Sequence, residues 1–129
     1  MTRRIVFLDI DGTIIDHDGE IPDSTVRAIR GARANGHLVF LASGRTPTEV
    51  ERRLVEIGFD GAILGAGAYA WTGELWGEGG WAIERLMSPE DAAEMIAGYR
   101  DVGADFILQG REDVWATRAG FDRLAGEGQ

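Results

Sequence analysis

An apolar run that stops abruptly in acids constrains this chain more than any other feature. Ile5-Val6-Phe7-Leu8 is followed at once by Asp9-Ile10-Asp11-Gly12-Thr13. Four consecutive apolar residues read as a strand covered on both faces, the pattern of an interior strand in a parallel sheet. In an open α/β sheet, the carboxyl end of such a strand borders the ligand crevice. Asp9 and Asp11 stand two apart, so extended backbone points both to one side, with the chain turning near Asp11. Gly12 permits that turn and lets main-chain N–H groups approach an anion. Two acids beside an anion cradle would repel the anion. A divalent cation resolves the conflict, as does chemistry in which one acid is the nucleophile, and both point to phosphoryl transfer through an aspartyl-phosphate. The competing reading is a strand end with an ordinary Asp-Gly turn.

A second apolar run, His37-Leu38-Val39-Phe40-Leu41-Ala42, ends in Ser43-Gly44-Arg45. Between the two runs, Val26, Ile29 and Ala32 repeat at helical spacing after a cap at Asp23 or Ser24, and Asn35-Gly36 supplies a left-handed stop. Strand, helix, strand implies a right-handed parallel crossover, which brings Ser43 to the sheet edge that carries Asp9. Arg27, Arg30 and Arg33 recur beside the helical stripe and are expected to form a solvated face. Thr46-Pro47-Thr48-Glu49 has the form of a capping box opening a helix through Val50, Leu54 and Ile57 to Gly58, and Gly61-Ala62-Ile63-Leu64 reads as a third strand. Ile14 to Pro22, with a central Asp18-Gly19, reads as a small hairpin whose His17 is solvated and not a catalytic acid.

Asp9-Ile10-Asp11-Gly12-Thr13 and Ser43-Gly44-Arg45 together resemble the haloacid dehalogenase-like hydrolases, in particular their Cof-type sugar-phosphate phosphatase branch. The resemblance runs along nearly the whole chain but matches only the first part of a full family member. It implies an α/β fold: an incomplete Rossmann-like parallel core over 1–67, followed over 68–129 by the start of an α+β cap. It implies Asp9 as nucleophile, Asp11 as acid and base, and Gly12, Thr13, Ser43, Gly44 and Arg45 as contacts to a small phosphorylated metabolite such as a sugar phosphate. It also implies Mg²⁺, with Asp9 and Asp11 as ligands, Asp11 through its main-chain carbonyl. Ala66 stands where relatives usually carry asparagine, a departure that leaves any contact from that amide unmatched.

The later half reads as strand (Ala82 to Met87), helix (Ser88 to Gly103) and hairpin (Phe106–Leu108 with Val114–Thr117), with Trp71, Trp76, Trp81 and Trp115 expected to pack as core. All 13 basic residues are arginine. The family's later lysine or arginine and acidic pair have no counterpart here, since Arg111-Glu112-Asp113 reads as a turn. The chain is therefore expected to be a fragment or truncated product with weak turnover or none. In the family the first strand is central, so Ile5 to Leu8 would here present an unpaired apolar edge, open to a homodimer or a completing second chain. A net charge of −9 disfavours nucleic acid and anionic membrane as partners. The absence of cysteine suits a reducing cytoplasm, and no apolar run reaches membrane-spanning length. The reading from a different class is a non-catalytic module that binds phosphate or metal, or dimerises through the open edge. A receiver-type phosphoacceptor fits the order of motifs poorly.

Overall fold

A computed structural model describes residues 2–127. The chain forms two compact units, 1–84 and 85–129. The first contains β1 (Ile5–Leu8), α1 (Asp23–Ala34), β2 (Leu38–Ala42), α2 (Arg52–Ile57), β3 (Gly61–Leu64), β4 (Tyr69–Thr72) and β5 (Gly80–Glu84). These five strands make one sheet in the order β1-β2-β3-β4-β5. β1, β2 and β3 run parallel, in the register Leu8 beside Leu41 and Leu41 beside Ala62, whereas β3, β4 and β5 are antiparallel neighbours. This is the expected α/β, Rossmann-like parallel core. The hairpin of β4 and β5 extends its sheet, so the sequence division at 67/68 falls inside the first compact unit.

The core lies on one face of the sheet. Side chains alternate along a strand, and β2 buries Val39 and Leu41 on the face where Ala62 and Leu64 of β3 also point. Ile29 of α1 and Leu54 and Ile57 of α2 close over them, with Phe59 fully buried beside the helices. Tyr69, Trp71 and Trp81 continue this face outward. Trp71 meets Trp76 and Trp81 edge-on at 5.1 and 5.2 Å; Trp71 and Trp81 pack against the core as expected, whereas Trp76 is exposed. The opposite face carries Ile5, Phe7, Phe40, Ile63, Ala70 and Ile83, and there Ile5 and Phe7 are each 56% exposed. The covering expected on both faces of β1 is thus not found. Among the described residues β1 is the edge strand and pairs with β2 alone, leaving the apolar edge expected from the sequence.

Several local expectations change for identifiable reasons. Residue Pro22, not Asp23 or Ser24, occupies the cap of α1, and its carbonyl accepts the N–H groups of Thr25 and Val26. The helix does stop where Gly36 takes φ +89°. Arg33 is not solvated: its guanidinium donates to both oxygens of Asp60 at 3.0 and 3.1 Å and to Glu74 at 2.8 Å, tying α1 to the turn before β3 and to the β4–β5 connection. Residues 14–22 form a tight loop in place of a hairpin, because the Asp16 carboxylate takes the N–H groups of Asp18 and Glu20. The helix expected from Thr46 is broken: a 3₁₀ turn over Pro47–Glu49 keeps the capping box, the chain extends at Val50, and α2 starts afresh.

The second unit contains α3 (Pro89–Asp101), β6 (Ile107–Gln109), β7 (Val114–Ala116) and α4 (Arg118–Glu127). Ser88 caps α3 through the Asp91 N–H, Gly103 ends that segment at φ +68°, and β6 and β7 pair as the expected hairpin around 110–113. Thr117 Oγ1 accepts from Phe106 and Gly120, which fixes the start of α4, a helix the sequence reading did not foresee. Trp115 is exposed, against the expectation that it packs as core. No described helix is long and apolar enough to cross a membrane.

Gly61 of β3 leaves no room for a side chain. A Cβ there would run into the Trp71 carbonyl oxygen and the Phe40 ring. Gly61→Ala is expected to lower stability by about 2 kcal/mol, measured as a reduced midpoint in urea unfolding followed by tryptophan fluorescence.

Candidate active site

The parallel register sets the site. With Leu8 beside Leu41, the chain leaves β1 at Asp9 and β2 at Ser43 from the same end of the sheet, and β3 finishes next to them at Leu64. Main-chain bonds lock the exits of β2 and β3 together: Ser43 N–H donates to Ile63 O at 2.9 Å, Gly65 N–H to Arg45 O at 2.7 Å and Ala66 N–H to Ser43 O at 3.3 Å.

The loop after β1 is anchored by three isoleucines. Ile10, Ile14 and Ile15 are buried, and the Ile10 carbonyl accepts N–H bonds from Thr13, Ile14 and Ile15. Asp9 and Asp11 flank the buried Ile10, and both are exposed. Gly12 adopts φ +82°, the left-handed region that its lack of a Cβ allows, and its N–H closes the loop on Ile15 O at 2.8 Å. The Gly12 and Thr13 N–H groups are therefore already bonded within the loop. One Asp9 oxygen, Oδ1, accepts the Ile10 N–H at 2.8 Å.

Arg45 joins the two acidic and hydroxylic loops. Its Nε and Nη2 donate to the two Asp11 carboxylate oxygens at 2.9 and 2.7 Å, a bidentate pair, while Nη1 donates to Glu49 O and Glu51 Oε1, each at 3.1 Å. Glu51 is also held by Arg53, whose Nη1 reaches Gly19 O at 2.7 Å. The chain of bonds Asp11, Arg45, Glu51, Arg53, Gly19 thus ties the loop after β1 to the start of α2 and explains the break before α2: the Glu51 side chain and the Glu49 carbonyl both turn toward Arg45. Ser43 Oγ accepts the Arg45 N–H at 3.0 Å and keeps its own proton to donate. Gly44 is exposed between them, and His17, 94% exposed, sits away from these bonds as the sequence reading expected.

The Arg45 hydrogen bonds hold the Asp11 carboxyl below its ordinary value against the opposing effect of burial, and the same pairing drives the Arg45 guanidinium upward. Glu51 is lowered, first by Arg53 and then by Arg45. Sequence reading placed Asp11 and Arg45 at one edge but missed this pair, and it missed Glu51 and Arg53 altogether. Acids and arginines at 45, 51 and 53 were the available signal, obscured by the expectation of an unbroken helix there.

No three His, Cys, Asp or Glu side chains converge among the described residues. Oxygen donors at Asp9 and at the Asp11 carbonyl nevertheless fit Mg²⁺, a cation that commonly takes one or two protein carboxylates and fills its other positions with water and substrate phosphate. The Asp11 carboxylate is committed to Arg45.

Paired acids, a hydroxyl and an arginine gathered at the carboxyl ends of adjacent parallel strands define an α/β protein of the Rossmann-like, dehalogenase type. Comparison agrees. Residues 6–127 match the family model of the haloacid dehalogenase-like hydrolases, and the chain belongs to that family. It is 34% identical over 114 residues to "Putative phosphatase YkrA" of Bacillus subtilis (strain 168), covering 88% of this chain and 42% of that one. A hypothetical protein from Geobacillus kaustophilus HTA426 superposes with a TM-score of 0.82 at 25% identity, over 99% of this chain and 50% of that one. The subclass IIB sugar phosphatase BT4131 gives 0.70 at 29% identity, over 89% and 44%. The chain thus spans about half the length of the relatives it matches.

Two outcomes follow from the geometry. The Asp11 carboxyl is depressed below 3.8, so the stability it contributes is complete above that pH and is lost as pH falls through its folded value. Melting temperatures of the parent chain and Arg45→Met should differ near neutrality, and the difference should shrink as pH falls below the ordinary carboxylate range. Separately, Ala66 holds φ +54°. Ala66→Gly should stabilise the chain by about 1 kcal/mol, measured by denaturant unfolding.

Proposed function

We propose that this chain carries the nucleophile half of a cytoplasmic, Mg²⁺-dependent phosphomonoesterase acting on a small phosphorylated metabolite, a sugar phosphate in particular. The observation that carries the reading is the exposed Asp9 carboxylate at the end of β1, with Asp11, Ser43 and Arg45 gathered at the same sheet end. The name of BT4131 as a sugar phosphatase supports the substrate class.

An Asp9 oxygen attacks phosphorus, the ester P–O bond breaks, and Asp11 donates its proton to the leaving alkoxide. Asp11 then takes a proton from water, whose oxygen attacks the phosphorus of the aspartyl-phosphate and releases phosphate and free Asp9. Asp11 cannot serve as the acid while both its oxygens hold Arg45 and keep it ionised. Substrate entry must therefore separate the pair, and the phosphate dianion is the natural competitor for the guanidinium. Ser43 Oγ–H donates to a phosphoryl oxygen, and Gly44 leaves room beside it. Gly12 and Thr13 set the loop's shape and contribute N–H contacts only if their internal bonds are shared. Asp9 and the Asp11 carbonyl would hold Mg²⁺, which would supply charge neutralisation between carboxylate and phosphate when bound.

A second reading, a phosphate- or metal-binding module without turnover, is favoured by the occupied Asp11 carboxylate. Hydrolysis of an aryl phosphate with Mg²⁺ separates the two. Slow turnover is expected from this chain, and Asp9→Asn should reduce it by a factor on the order of 10³ or more. Calorimetric binding of Mg²⁺ and phosphate, with no hydrolysis by the parent chain, would select the module instead.

A further inference from the structure

Arg45 is gripped at two places on its guanidinium. Nε and Nη2 form one edge and donate to both oxygens of Asp11, while Nη1 donates to Glu49 O and Glu51 Oε1 at 3.1 Å each. The group is planar, so partners at both places fix its plane. The two grips differ in what can reach them. The Asp11 side chain is 61% exposed and open to exchange, whereas that of Arg45 is only 20% exposed.

Glu51 stands at the cap of α2, yet its side chain makes no capping bond. Its oxygens go to two arginines instead, Oε1 to Arg45 and Oε2 to Arg53, and Arg53 Nη1 reaches on to Gly19 O at 2.7 Å. Charges therefore alternate from Asp11 through Arg45 and Glu51 to Arg53. Glu51 can hold Arg45 without leaving an uncompensated negative charge beside a place that must accept an anion.

We propose that Glu51 is a positioning residue for phosphoryl transfer: it keeps Arg45 in place when Asp11 lets go, so that the vacated Nε and Nη2 edge is presented ready-made to the substrate's phosphate. The identity of that anion rests on the phosphatase reading. The gain is entropic. An arginine side chain released at its end regains rotamer freedom and must be ordered again when phosphate arrives. Anchored through Nη1, it exchanges one bidentate oxyanion for another without that loss. Charge alone acts in the opposite direction, because Glu51 is an anion near another anion and its removal would tighten phosphate binding. Anchoring and simple repulsion thus give opposite signs for the same substitution.

Two measurements on this chain test the assignment. Arginine side-chain nitrogen NMR reads whether the Arg45 guanidinium is held, its signal being assigned by its loss in Arg45→Lys. Asp11→Ala is expected to leave that signal ordered, and Asp11→Ala with Glu51→Ala to release it. Asp11→Asn repeats the comparison with a smaller change to the loop, and circular dichroism verifies each fold. Calorimetric titration with inorganic phosphate and Mg²⁺ is the second readout. Glu51→Ala should raise the phosphate dissociation constant about fivefold, while Glu51→Gln, which keeps an oxygen for Nη1, should stay within about twofold of the parent. An Arg45 that loses order in both Asp11 variants overturns the proposal whatever the chain does with phosphate. So does phosphate binding that Glu51→Ala leaves unchanged or tightens. A chain whose Arg45 stays ordered in the Asp11 variants but which binds no phosphate overturns the phosphatase reading, and with it the role given to this anchor.

Discussion

The burial of alternate side chains on β2 is the constraint on which the rest depends. Val39 and Leu41 sit beneath Ile29, Leu54 and Ile57, and their neighbours Leu38 and Phe40 face the other way. A slip of one residue would turn this apolar pair out of the core, so the register of β2 against β1 and β3 has one solution. That solution delivers Asp9, Ser43 and the 65–67 turn to the same end of the sheet. The position of the candidate site is therefore a consequence of packing several residues away from it.

Electrostatics then refines what packing brings together. Asp11 and Arg45 come from different strand ends, 34 residues apart in sequence, and meet as a bidentate pair. Arg45 is mostly shielded while Asp11 is largely exposed, so the guanidinium is the fixed partner and the carboxylate the one that solvent or a ligand can reach. The same arginine recruits Glu51, and Glu51 recruits Arg53. Arg33 plays a comparable part on the far side of the core, where it clamps Asp60 and Glu74 and where Asp60 also takes the Val39 N–H at 2.9 Å. In both networks one arginine satisfies acids from several loops, which holds short connections in place without a disulfide.

The one-sided core has a cost. Helices α1 and α2 cover a single face, leaving Ile5, Phe7 and Ile83 exposed on the other, and β1 has one strand neighbour where its composition suits two. The relatives are about twice as long, and the surfaces a longer chain could cover are this face and this edge.

Sequence alone determined the order of strands and helices through β3, the stops at Gly36 and Gly58, the α3 cap at Ser88 and the family. These rest on short-range signals: apolar period, turn glycines and the Asp9 to Thr13 motif. Tertiary structure decided the pairing of Arg45 with Asp11, the break before α2, the clamp on Arg33 and the membership of β4 and β5 in the first sheet. Each of these depends on groups distant in sequence whose attraction outweighs local preference, as when Glu51 leaves the helix it was spaced to join in order to reach Arg45. Local patterns carry no record of such partners, because an arginine reads as a solvated charge until the fold sets an acid within hydrogen-bond reach.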